Sequence, residues 1–140
     1  MKRAARFRFE DVNPAHPGTS LMPLLPIVLS RGGQDIEARG LLDTAAAVSV
    51  LPNSMGERFG YVWDEETIPM VLTGNLSRLP ARAIIVSVTV AHFAPVRLGF
   101  AWTLSDDVRL LLGQMNFFSE FDACFFQSRM EFEVKRKPNK

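Results

Sequence analysis

The chain has 140 residues, of which 47% are hydrophobic, so it is one domain by length and able to bury an ordinary core. Its 16 basic and 15 acidic side chains nearly cancel, which removes any whole-chain argument for nucleic acid or an anionic membrane as partner. One cysteine excludes an intramolecular disulfide, and two histidines with one cysteine supply no metal-ligand spacing, so neither metal nor cofactor is expected.

Residues 1–22, with Pro14, Pro17 and Gly18, read as a loosely ordered arm carrying a short basic cluster at Lys2, Arg3, Arg6 and Arg8. Phe7, Arg8, Glu10 and Asp11 leave no room for the apolar core of a signal peptide. No later stretch approaches the ~18 apolar residues of a membrane span, and a soluble, cytoplasmic protein is expected. Residues 24–29 and 36–42 flank Arg31-Gly32-Gly33-Gln34, a pattern that predicts a tight hairpin. After Pro52, residues 53–60 predict a turn or two of helix closed by Gly60. Residues 68–72 and 81–90 read as strands around Thr73-Gly74-Asn75, and residues 96–102 as another beyond a turn at Pro95. Met115, Phe118 and Phe121, three apart, predict a helix over 114–121. Cys124, between Ala123 and Phe125-Phe126, reads as a buried thiol. Met130, Phe132 and Val134 alternate with charged residues, as in a strand with one wet face, and 135–140 form a basic tail. The dominant period is two, so the expected class is all-β with one short C-terminal helix.

Within this pattern Leu41-Leu42-Asp43-Thr44-Ala45-Ala46-Ala47-Val48-Ser49-Val50-Leu51 stands out. An acidic side chain ends an apolar run and is followed by a hydroxyl and three alanines, so the backbone there can be approached closely. Taken alone, Asp43-Thr44 reads equally as a capping pair at a strand end. The longer stretch resembles the active-site loop of the retropepsin-like aspartic proteases, apolar-apolar-Asp-Thr/Ser-Gly/Ala-Ala. Leu110-Leu111-Leu112-Gly113-Gln114 resembles the second segment of that family, which leads into its helix. The resemblance covers residues 23–134 and implies a closed β-barrel of the retropepsin type.

The same resemblance implies an aspartic endopeptidase in which Asp43 activates water. Only one Asp-Thr-Ala is present, and Asp35, Asp64, Asp106 and Asp122 do not repeat it. Two carboxylates must share a proton across one water, so the resemblance implies a homodimer with Asp43 of each subunit at the axis. Thr44 would hydrogen-bond across that axis. Ala45, Ala47 and Gly74 would lie against a peptide or protein substrate, Gly74 at the tip of a covering flap. Ala47 and Gln114 stand where many viral members carry an Asp and an Arg that pair, so the charged brace is missing as a unit. A catalytically inactive dimerisation or peptide-binding module on the same fold is the alternative. A Cys124–His site lacks a positioned base, Ser49 lacks a nucleophile elbow, and Glu65-Glu66 and Asp106-Asp107 read as solvated loop charge.

Overall fold

A computed structural model describes residues 3–13, 15–18 and 20–138. Met1, Lys2, Pro14, Thr19, Asn139 and Lys140, which belong to the expected arm and tail, lie outside the described residues. The strands are β1 (Ala5–Arg8), β2 (Glu10–Asp11), β3 (Leu21–Met22), β4 (Leu24–Arg31), β5 (Gln34–Leu42), β6 (Val50–Leu51), β7 (Pro69–Met70), β8 (Ala81–Thr89), β9 (Val96–Thr103), β10 (Leu111–Leu112), β11 (Phe121–Phe126) and β12 (Glu131–Arg136). Two short helices, α1 (Asn53–Arg58) and α2 (Phe117–Glu120), interrupt them.

The hairpin of β4 and β5 follows the expected register. Arg31 pairs with Gln34, and Gly32 and Gly33 both take positive φ, 57° and 81°, as a two-residue type I′ turn requires. The order β4-β5-β10-β6-β9-β8 is closed by pairing of β8 with β4, so six strands make a barrel and β7 extends it beyond β8. Closure removes the free edges that an open sheet would leave. Within the barrel β5–β10 and β6–β9 run parallel, while β10–β6 and the long hairpins are antiparallel. Alternation along β8 buries Ile84, Val86 and Val88 and leaves Ile85 outside; along β9 it buries Leu98 and Phe100. Each such side chain contributes about 1.5–3 kcal/mol when fully withdrawn from water.

A three-stranded antiparallel sheet, β1-β12-β11, packs its inner side on the same core through Phe121, Phe132 and Val134. This is where the structure departs most from the sequence-based expectations. Residues 5–8, expected as loose arm, form β1: Ala5 and Phe7 turn inward, Phe7 stacks on Phe132 at 5.4 Å, and Arg6 pairs with Glu133 and Glu131. Those glutamates raise the pKa of the exposed Arg6 guanidinium, the hydrogen bond to Glu133 being the larger cause. Asp11 and Asn13 accept backbone N–H groups from Asn13, Gly18 and Ala15, and β2 pairs with β3. Two residues of the expected basic tail, Lys135 and Arg136, belong to β12, with Arg136 paired to Glu120.

The helix expected over 114–121 is a single turn. The N–H groups of Gln114 and Met115 are spent on the carbonyls of Ala46 and Ala47, and Phe121 leaves directly into β11. Cys124 is exposed, not buried. On β11 Phe121 and Ala123 face the core, so the pleat turns Cys124 outward. No helix among the described residues is long and apolar enough to cross a membrane.

Candidate active site

β5 delivers Asp43 to one end of the barrel. The apolar run Leu41-Leu42 forms the parallel pair with β10, and that pairing continues past the strand, since the Asp43 N–H donates to the Leu112 carbonyl at 3.0 Å. The chain then turns. The Ala46 N–H donates to the Asp43 carbonyl, and the Ala45 N–H donates to Asp43 Oδ1 at 3.0 Å, the local bond for which a short carboxylate side chain is suited. Asp43 is half-buried, while Thr44, Ala45 and Ala47 are exposed.

The Leu-Gly segment is threaded against this turn. Gln114 and Met115 donate to the carbonyls of Ala46 and Ala47, and Ser49 donates back to Met115. Ser49, fully buried, accepts the Gly113 N–H on its Oγ at 3.0 Å. Gly113 is required by proximity: a Cβ there would lie 2.5 Å from the Val48 carbonyl oxygen and 2.8 Å from that of Ala46. The Gln114 side chain reaches back, its Nε2 donating to the Thr44 carbonyl at 2.8 Å. The two segments that the sequence singled out therefore form one unit, closed by both backbone and side-chain bonds.

Across from them lies a cleft of about 500 Å³ lined by Asp43, Ala45 and Ala47 on one side and by Thr73, Gly74 and Asn75 on the other. Four of the five expected site residues line it; Thr44 does not. The segment expected as a flap differs from a simple hairpin. β7 pairs with β8 over only two residues, and Gly74–Leu76 forms a 3-10 turn inside the connecting loop 71–80. Buried Leu72 anchors that loop in a small apolar cluster with Val50, Ala81 and Ala101, flanked by Leu76 and Leu79.

The walls Val48, Val50, Val108 and Leu111 escaped sequence reasoning because they are brought together only by barrel closure. Of the acidic pair Asp106-Asp107, both exposed, Asp106 accepts the Ser54 N–H at 2.8 Å and Asp107 borders the cleft. His92 is exposed in the turn after β8 beside Phe93.

Two solved structures share this architecture. A retropepsin-like aspartic protease from Rickettsia conorii aligns with a TM-score of 0.60 over 94% of this chain and 90% of its own, at 12% identity. The EIAV protease, solved with a bound inhibitor, aligns at 0.51 over 71% of this chain and 88% of its own, at 17% identity. The fold is retropepsin-like. No family model and no curated protein sequence matches the chain, so the likeness is carried by structure. Within the retropepsin-like fold, the Asp43 turn and the Gly113 segment are bonded to each other beside the cleft, and residues 72–76 line it as well.

Proposed function

We propose that the chain is an aspartic endopeptidase that works as a homodimer. The observation carrying this reading is the position of Asp43: half-buried, held by the Ala45 N–H, and lining a cleft that residues 72–76 also line. One chain offers one such carboxylate, and the chemistry needs two. With the Asp43 side chains of two subunits facing across a two-fold axis, one is ionised and the other protonated, because like charges at that separation do not both persist. The ionised member takes a proton from water as its oxygen attacks the scissile carbonyl carbon. The protonated member gives its proton to the carbonyl oxygen. As the resulting gem-diol collapses and the C–N bond breaks, the member now ionised takes a proton from one hydroxyl and the member now protonated gives its proton to the leaving nitrogen, which restores the dyad.

In this reading Thr44, exposed beside the cleft, bonds across the axis. Ala45 and Ala47 lie along the substrate backbone, where methyl groups leave room for a close approach. Gly74 and its neighbours close over the bound peptide and exclude water.

The test pairs assembly with turnover. Sedimentation across a wide concentration range should show a dimer, and a peptide library at mildly acidic pH should be cleaved by the wild type and spared by Asp43→Asn. That substitution removes both proton donation and acceptance, so cleavage should fall to background while the thermal melt is retained. A chain that dimerises and binds a peptidic transition-state mimic but cuts nothing would establish the inactive binding module instead. A monomer cleaving at full rate would overturn the mechanism.

A further inference from the structure

The Thr44–Ala45 peptide group makes two hydrogen bonds in opposite directions. Its N–H belongs to Ala45 and donates to Asp43 Oδ1 at 3.0 Å; its C=O belongs to Thr44 and accepts from Gln114 Nε2 at 2.8 Å. A peptide group is planar, so these two bonds share a single orientation, and whatever fixes the carbonyl also aims the N–H. We infer that Gln114 is a positioning residue for the Asp43 carboxylate, acting through this one peptide group; the catalytic part of the inference rests on the function proposed above.

Gln114 is itself held firmly enough to do this. Its backbone N–H donates to the Ala46 carbonyl at 2.9 Å, and its carbonyl accepts from Ser119 Oγ at 3.3 Å, which ties it to α2. Gln114 is exposed, and its amide makes this bond at the surface of the turn. Donation to a carbonyl also polarises the peptide and strengthens the N–H at its other end. A neutral amide does this without adding a charge beside Asp43, which an arginine or lysine at the same place would do. The absence of the charged pair at Ala47 and Gln114 thus has a positive counterpart: the turn is braced by a neutral bond inside one subunit.

Two variants and two readouts test it. Gln114→Met keeps the length and loses the donor. Gln114→Glu loses the donor when ionised and regains an O–H donor when protonated, below about pH 4. Amide hydrogen exchange at Ala45 should accelerate at least several-fold in Gln114→Met and in ionised Gln114→Glu, with the melting transition of both variants preserved. On a cleaved peptide, kcat should fall about 10- to 100-fold in Gln114→Met with KM little changed, the scale expected when a reacting group is misplaced by a fraction of an ångström to an ångström. Relative to wild type, Gln114→Glu should recover kcat as pH falls through the glutamate range, whereas Gln114→Met should not. Unchanged Ala45 exchange in both variants would overturn the inference, as would equal losses in both at every pH. If the wild type cleaves nothing, the protease reading fails by that result alone, and Ala45 exchange still decides whether Gln114 orients the carboxylate.

Discussion

The two sides of the cleft are held in opposite ways. The Asp43 turn is bound to the 112–115 segment by a continuous series of hydrogen bonds, from Asp43 to Leu112, Gln114 to Ala46, Met115 to Ala47, Ser49 to Met115 and Gly113 to Ser49. The 71–80 loop makes short local bonds, among them Leu76 to Thr73, Ser77 to Gly74 and Leu79 to Leu76, and is attached to the body through β7 and the side chain of Leu72. Directional bonds to a closed barrel leave the first side one geometry. Apolar anchorage is non-directional, so it constrains the second side less narrowly. In the proposed protease that division would serve a site that must aim a carboxylate and yet admit a chain.

The strongest way to break the comparison is to force the rigid side apart. Gly113→Ala would place a methyl group against two backbone oxygens that cannot rotate away, and its cost should be about 3 kcal/mol or more. Urea unfolding should show this as a lower midpoint with little change in slope, and peptide cleavage should disappear with it. A midpoint within experimental scatter of wild type would show that the two segments are not locked as described.

A smaller effect is expected from Ser49→Ala. It leaves the buried Gly113 N–H without its acceptor, at a cost of about 1–3 kcal/mol. Because the remaining backbone bonds persist, turnover should drop only in part. Ser49→Thr, which keeps the hydroxyl, should restore more of the stability than Ser49→Val, which keeps only the shape.

The smallest effect on stability, and the most informative about the cover, comes from Gly74→Val. Gly74 has a φ of 63°, and no atom lies within 4 Å of the position a Cβ would take. The penalty is therefore conformational, about 1–2 kcal/mol for a left-handed residue, and the loop can relieve it by rearranging. Unfolding should be barely affected, while kcat on peptides should fall. An equally large loss of global stability would mean that this loop is as firmly built as the opposite wall.

Much of the barrel and of its rigid wall was legible along the chain. The β4–β5 hairpin follows from two apolar runs about a Gly-Gly pair, and β8, β9 and β12 follow from period-two alternation, because a pleated strand on a core exposes every second residue. The Asp43 turn and the Gly113 segment stood out by resemblance to two contiguous family segments, whereas their residue types alone left Asp43-Thr44 open as a capping pair. The cover was legible only as a glycine between two strands; its 3-10 turn and its Leu72 anchor were not. Strand β1 was missed although Arg6-Phe7-Arg8-Phe9 already alternates, since the cluster of cations outweighed the alternation.

Local pattern alone determined the all-β class and the central hairpin, because each depends on neighbours in sequence and on the steric and hydrogen-bonding habits of a few residue types. Tertiary structure decided the rest. Whether Phe121 continues a helix or opens β11 and whether Cys124 faces in or out depend on β12 and the core beneath it, and which apolar residues wall the cleft depends on barrel closure. So does the bond from Gln114 to Thr44, which joins residues 70 positions apart. A glutamine's amide has a partner only once the fold has placed a carbonyl within 3 Å of it, and no spacing along the chain carries that distance.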